Sequence, residues 1–126
     1  MNVERLDHLV LTVADVEASM AFYSRVLGME PVDFGDGRRA LAFGDQKINL
    51  HPATRPLEPH ASVPSPGSAD LCLLADTPIP NVVEHLRRCN VAVETGPVRR
   101  TGARGPITSV YIRDPDGNLI ELSRYR

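Results

Sequence analysis

Four side chains able to bind a metal or move a proton lie inside segments that otherwise read as apolar β-strand: His8, His51, Asp70 and Glu121. Glu121 is flanked by Ile120 and Leu122, and a carboxylate taken into an apolar setting is costly unless it is paired or liganded. A divalent cation held by His8, Asp70 and Glu121, with His51 or Asn49 beside it, would supply that partner. Imidazole and carboxylate together suit Mn, Fe(II), Ni, Zn or Mg and need no thiolate. The ligands come from separate strands and no compact motif of the HExxH kind is present, so only a fold can assemble them. Each residue also has a plainer reading. His8 could pair with Asp70 or Glu121, Asp70 could cap the loop before its strand, and His51, at the start of a proline-rich segment, could stand at a rim.

The other reactive side chains divide in the same way. Cys72 and Cys89 form neither a CxxC unit nor a disulfide framework and read as reduced thiols, with Cys72 turned by strand parity toward the same face as Asp70. His60 and His85 fall in a linker and on a helix surface. Asp114 and Asp116, beside Pro115 and Gly117, are turn formers. The stretch from Gly96 to Pro106 reads as a glycine- and arginine-rich loop in which Arg104 could clamp a carboxylate or phosphate, although the lysine-serine/threonine end and helix of a nucleotide loop are missing.

The elements that must position these groups follow from periodicity. In Leu6 to Val13 the apolar residues Leu9, Leu11 and Val13 alternate with His8 and Thr12, as in a half-buried strand. Asp15 offers an N-cap to a helix with Val16, Met20, Tyr23 and Leu27 on one face, and Gly28 stops it. Strands are expected over Pro31–Phe34, Arg39–Phe43 and Lys47–His51, separated by Asp36-Gly37 and Gly44-Asp45 turns. Five prolines between Pro52 and Pro66 mark a linker. The pattern then restarts: a strand at Ala69–Leu74, a helix capped by Thr77-Pro78 with Ile79, Val82, Val83 and Leu86 on one face, and Asn90 at its end. Val91–Glu94 matches Met29–Val32, and strands at Thr108–Arg113 and Asn118–Ser123 flank the Asp114–Gly117 turn.

The expected architecture is therefore α+β, a single domain over residues 1–126 made of two tandem βαβββ modules (5–51 and 67–126, joined by 52–66) that form a curved mixed sheet around a cleft. Parity points His8, Val10, Thr12, Asn49, His51, Asp70, Cys72, Leu74, Leu119, Glu121 and Ser123 away from the helices and into that cleft. With 42% hydrophobic residues, 24% charged and a net charge of -2, the composition supports neither a nucleic-acid nor a membrane partner. No apolar run approaches ~18 residues and Met1–Asp7 is too polar for a secretory signal, so cytoplasmic residence is expected.

The repeat, the phrases Leu6-Asp7-His8-Leu9-Val10-Leu11 and Asp114-Pro115-Asp116-Gly117-Asn118-Leu119-Ile120-Glu121-Leu122, and Phe22-Tyr23 ahead of Gly28-Met29, resemble the vicinal oxygen chelate superfamily of glyoxalases, bleomycin-resistance proteins and extradiol dioxygenases. Within it, Phe43-Gly44-Asp45-Gln46-Lys47, Asn49-Leu50-His51, Pro66-Gly67-Ser68 and the Gly96–Ile107 segment look most like the glyoxalase domain-containing protein 5 type. The resemblance covers essentially the whole chain. It implies a cleft commonly built within a homodimer, where a divalent metal chelates neighbouring oxygens of a small-molecule substrate and no organic cofactor is needed. Its ligand positions fall on His8, Asp70 and Glu121, and the glutamate of glyoxalase I-like members falls on Asn49.

Asp70 stands where histidine is common, which favours a harder metal. Asn49 cannot serve as a base, which counts against a standard methylglyoxal-glutathione isomerase and leaves His51, with Glu121, for catalysis; Asn49, Arg104 and Cys72 are then substrate contacts. The leading expectation is a metal-dependent, glyoxalase- or lyase-like enzyme acting on an oxygen-rich or carbonyl compound. The alternative is a metal-independent binder of the resistance type, which a chain with no Trp, three Tyr and three Phe supports less well by stacking.

Overall fold

The apolar stripe of the first helix dictates what the first half of the chain can be, because Met20, Tyr23 and Val26 must be covered and Leu11, Val13, Leu41, Ile48 and Leu50 are the strand residues that cover them. In the computed structural model, which describes residues 1–125, the chain forms two compact units, Met1–Pro66 and Gly67–Arg126. The first contains β1 (His8–Val13), α1 (Val16–Leu27), β2 (Glu30–Phe34), β3 (Arg38–Phe43) and β4 (Gln46–Pro52). The second contains β5 (Asp70–Leu74), α2 (Ile79–Arg88), β6 (Thr95–Gly102), β7 (Gly105–Arg113) and β8 (Leu119–Tyr125). Each unit is a four-stranded mixed sheet with one helix, ordered β1-β4-β3-β2 and β5-β8-β7-β6. The first strand of each runs parallel to the last and the remaining pairs are antiparallel. This is the α+β, βαβββ architecture expected from the repeat.

Both ends of α1 behave as their residue types require. The Asp15 side chain accepts a 3.1 Å hydrogen bond from the Ala18 backbone N–H, and Gly28, at φ 70, adopts the left-handed conformation and donates its N–H to the Ser24 carbonyl. On the helix-facing side of the first sheet Leu41 and Ile48 are fully buried, each contributing about 1.5–3 kcal/mol of burial energy. Arg39 lies on that side too and pairs with Glu17 of α1. In the second unit Ile112, Ile120, Val110 and Leu122 pack beneath Ile79, Val82 and Leu86 of α2.

The start of α2 departs from expectation. Pro78 itself is the N-cap residue, no side chain caps the helix, and the Thr77 hydroxyl donates instead to Asp76. Asn90 does take the expected left-handed conformation after it, at φ 60. A larger departure is β6. Val91–Glu94 is not a strand, and Thr95–Gly102, within the stretch expected to be a loop, pairs with β7 as a hairpin. This outer strand is mostly exposed, so no apolar alternation announces it. Its register shifts between Thr95 and Val98, where Gly96 approaches β7 so closely that a Cβ there would lie 2.5 Å from the Ser109 carbonyl oxygen. Among the described residues, no helix is long and apolar enough to cross a membrane.

Candidate functional site

Leu71, Leu73, Ile120 and Leu122 point to α2, so the alternating residues of β5 and β8 face the other way. On that open face lies a concave pocket of about 350 Å³ lined by Asp70, Glu94, Thr95, Arg100, Tyr111, Leu119 and Glu121. Register sets Cys72, Glu121 and Tyr111 in one row across β5, β8 and β7, and Leu74, Ser123 and Ser109 in the next.

Glu121 finds partners in hydroxyls. Ser109 Oγ donates to Glu121 Oε2 at 2.6 Å, Ser123 Oγ lies 3.4 Å from the same oxygen, and the two serines bond each other at 2.7 Å. Glu121 Oε1 receives no hydrogen bond from the described residues, so one carboxylate oxygen is anchored and the other is available. Glu94 is engaged differently: both its oxygens accept from the Arg113 guanidinium, at 2.9 and 3.0 Å, which holds its carboxyl below the usual range. Asp70 makes no hydrogen bond or ion pair with the described residues. Of three lining carboxylates, two therefore remain open for a ligand.

Cys72 is exposed beside this row, with its Sγ 3.3 Å from Ser123 Oγ. Partial desolvation raises its thiol, the serine contact lowers it, and the nearby negative charges of Glu121 and Asp70 raise it further, so at neutral pH it is a thiol rather than a nucleophilic thiolate. Arg104 stacks 4.3 Å over the Tyr125 ring and gives its backbone N–H to Tyr125 Oη. The arginine in the pocket is Arg100, whose Nε donates to Tyr111 Oη at 3.0 Å. Sequence reasoning placed Arg100 in a loop; recognising β6 as a strand paired with β7 would have brought it to Tyr111.

In the first unit, parity likewise turns His8, Val10, Thr12, Asn49 and His51 away from α1. His8 is exposed and its Nδ1 lies 2.8 Å from Asp7 Oδ1; its structural partner is thus its own neighbour rather than Asp70 or Glu121. An ionised Asp7, whose carboxyl this hydrogen bond holds below the usual range, accepts from His8 Nδ1. Carboxylate-oriented imidazole of this kind is the usual state of a metal-ligating histidine. Among the described residues no three His, Cys, Asp or Glu side chains are grouped to hold a metal ion.

His51 is only 3% exposed and Asn49 only 4%, and neither His51 ring nitrogen nor Asn49 Oδ1 has a hydrogen-bond partner among the described residues. Burial, then the charges of Arg38 and His60, push the His51 imidazole below its ordinary value of 6.5, so it is neutral at pH 7. As pH falls below 6.5 the unfolded chain takes up this proton first and the folded state loses stability. Thermal melting should accordingly fall on acidification from neutral pH, with a shallower fall in His51→Gln. An unchanged slope would mean that His51 carries no such linkage.

The profile of the Glyoxalase/Bleomycin resistance protein/Dioxygenase superfamily matches residues 5–122. The chain belongs to this superfamily. It is 54% identical to Virulence protein STM3117 of Salmonella typhimurium over 99% of this chain and 87% of that one. The crystal structure of STM3117 superposes with a TM-score of 0.99 over the whole of both chains. Glyoxalase domain-containing protein RDO1 of Mycosarcoma maydis is 53% identical, over 100% of this chain and 71% of its own. Lactoylglutathione lyase of Salmonella typhimurium is 30% identical over 94% of this chain and 90% of its length.

Proposed function

We propose that this superfamily member is a divalent-metal-dependent enzyme of glyoxalase- or lyase-like type, acting on a small oxygen-rich or carbonyl substrate. The observation that carries the reading is the pocket in which Glu121 is pinned through Oε2 by Ser109 and presents Oε1 beside an unengaged Asp70. The donor chemistry of His8, Asp70 and Glu121, imidazole with two carboxylates, fits a hard or borderline cation, and a homodimer belongs to the same reading. Such a metal, when bound, polarises adjacent substrate oxygens as a Lewis acid. Neutral His51 is the proton acceptor in this reading, and Asn49 and Cys72 are substrate contacts. Similarity to a lactoylglutathione lyase supports the lyase-like class, while Asn49 argues for a different substrate from that enzyme's. The closer likeness to the glyoxalase domain-containing protein 5 type belongs to the same proposal, as does a cytoplasmic setting, with which the absence of a disulfide between Cys72 and Cys89 agrees.

Elemental analysis of protein purified without chelators tests this directly. A stoichiometric divalent metal is expected. Folded, metal-free protein carrying an organic ligand would replace the enzyme with a metal-independent binder. Ser109→Ala should lower metal affinity by about 10- to 100-fold, the scale for losing a group that orients a ligand, as read by competition with a chromogenic chelator. Unchanged affinity would show that the serine bridge does not tune the site.

A further inference from the structure

Helix α2 covers the face of the second sheet opposite the pocket, and its last turn carries two side chains able to bind a metal that the proposed chemistry does not use. His85 and Cys89, the residue that caps the helix, stand one turn apart, where helical side chains become neighbours. The Cys89 backbone N–H donates to the His85 carbonyl at 3.0 Å, so the backbone itself fixes that spacing. Ile79, Val82 and Leu86 form the buried stripe of α2, whereas His85 is exposed and Cys89 is half-buried and in no disulfide. The His85 Nε2 and Cys89 Sγ atoms lie 3.6 Å apart.

That separation is the edge of a tetrahedral zinc site. With Zn–S of about 2.3 Å and Zn–N of about 2.05 Å, sulfur and nitrogen at this distance subtend about 110° at the ion. A linear arrangement at the same bond lengths would need about 4.3 Å. Only a modest turn of the imidazole is required to aim Nε2 at the ion rather than at the sulfur. Two further features favour a cation here. The pair sits at the C-terminal end of α2, where the helix dipole is negative. Arg87 and Arg88, the basic residues of the same turn, both donate to Glu84, which ties their guanidinium groups to the Glu84 side of the helix.

We propose that His85 Nε2 and Cys89 Sγ form a surface site for a zinc ion, with water in the remaining tetrahedral positions. Binding breaks the Cys89 S–H bond, releases that proton to solvent and forms the Zn–S and Zn–N bonds, with no oxidant or reductant taking part. The ion then clips the last turn of α2. Because the pair lies on the helix side of the sheet and Glu121 and Asp70 on the other, the site stands whether or not the pocket holds a metal.

Alkylation of the full-length, chelator-stripped protein by iodoacetamide, with and without zinc and read by peptide mass, tests the site because it scores Cys89 and Cys72 separately. The thiolate is the reacting species and zinc occupies it, so saturating zinc should slow modification of Cys89 about 10-fold or more. His85→Gln, a change on an exposed side chain, should raise the zinc concentration needed for protection by about 10-fold or more. Glu121→Gln, which removes a carboxylate from the pocket, should leave Cys89 protection unchanged. Cobalt(II) in place of zinc should give a thiolate-to-metal charge-transfer absorption that Cys72→Ser retains and Cys89→Ser loses. Equal alkylation of Cys89 with and without zinc, undiminished protection in His85→Gln, or a cobalt absorption that follows Cys72 instead of Cys89, would overturn the site.

Discussion

Glu121→Gln should cost the protein its stoichiometric metal, with affinity falling by about 100-fold or more while the fold is retained. The amide keeps the shape of the side chain and an oxygen that can still accept from Ser109, so packing between β7 and β8 is preserved. What disappears is the negative charge and the anionic oxygen that Oε1 presents. Loss of a group that merely orients a ligand costs 10- to 100-fold, so loss of a ligand itself belongs at or beyond the upper end. Isothermal titration with Mn or Zn measures it, and urea denaturation checks that the variant is as stable as the native chain to within about 1 kcal/mol. A glutamine variant that retains native metal content would remove Glu121 from the ligand set and sink the metal-dependent reading.

Asp114→Ala should produce the largest loss of stability of any change near the pocket, about 3–5 kcal/mol. Asp114 is 6% exposed; its Oδ1 accepts from the backbone N–H groups of Asp116 and Asn118, both at 2.9 Å, and its Oδ2 from Asn118 Nδ2 at 2.8 Å. Removing the carboxyl group strands three donors at once. The damage reaches the site through Asn118, whose Oδ1 accepts the Ala69 N–H at 2.8 Å and so fixes the start of β5, next to Asp70. Asp114→Asn, which keeps one acceptor oxygen, should fall between the alanine variant and the native protein. The urea midpoint reports the order, and a midpoint for the alanine variant within error of native would show that the turn does not hold β5 to β8.

The turn containing Asp114 was fully legible beforehand. Its residue types act locally, through a side chain bonding its own backbone a few positions away, and the same holds for Asp15 and Gly28 at the ends of α1. Strand parity was equally legible, since alternation needs no knowledge of partners: it put Glu121, Asp70 and Cys72 on one face, where β5 and β8 align them. Strand β6 was not legible. An exposed outer strand buries too little apolar area to impose a pattern, and its arginines and glycines mimic a loop. Missing it left Arg100, which lines the pocket, in a loop. Thr77 failed as a cap because Pro78 took the N-cap position, a choice between adjacent residues that propensity does not resolve.

The side chains proposed to carry chemistry, His8, Asp70 and Glu121, could thus be picked out as candidates from sequence alone, because a charged or titratable side chain within an apolar alternation is visible wherever it occurs. Their immediate partners could not. That His8 is oriented by Asp7, that Glu121 rests on Ser109 and Ser123, and that His51 and Asn49 are buried with unmet hydrogen bonds beside Arg38 depends on cross-strand register and side-chain packing. Register is set by the summed contacts of whole strands, so the neighbours of any one side chain are decided only when the sheet has formed.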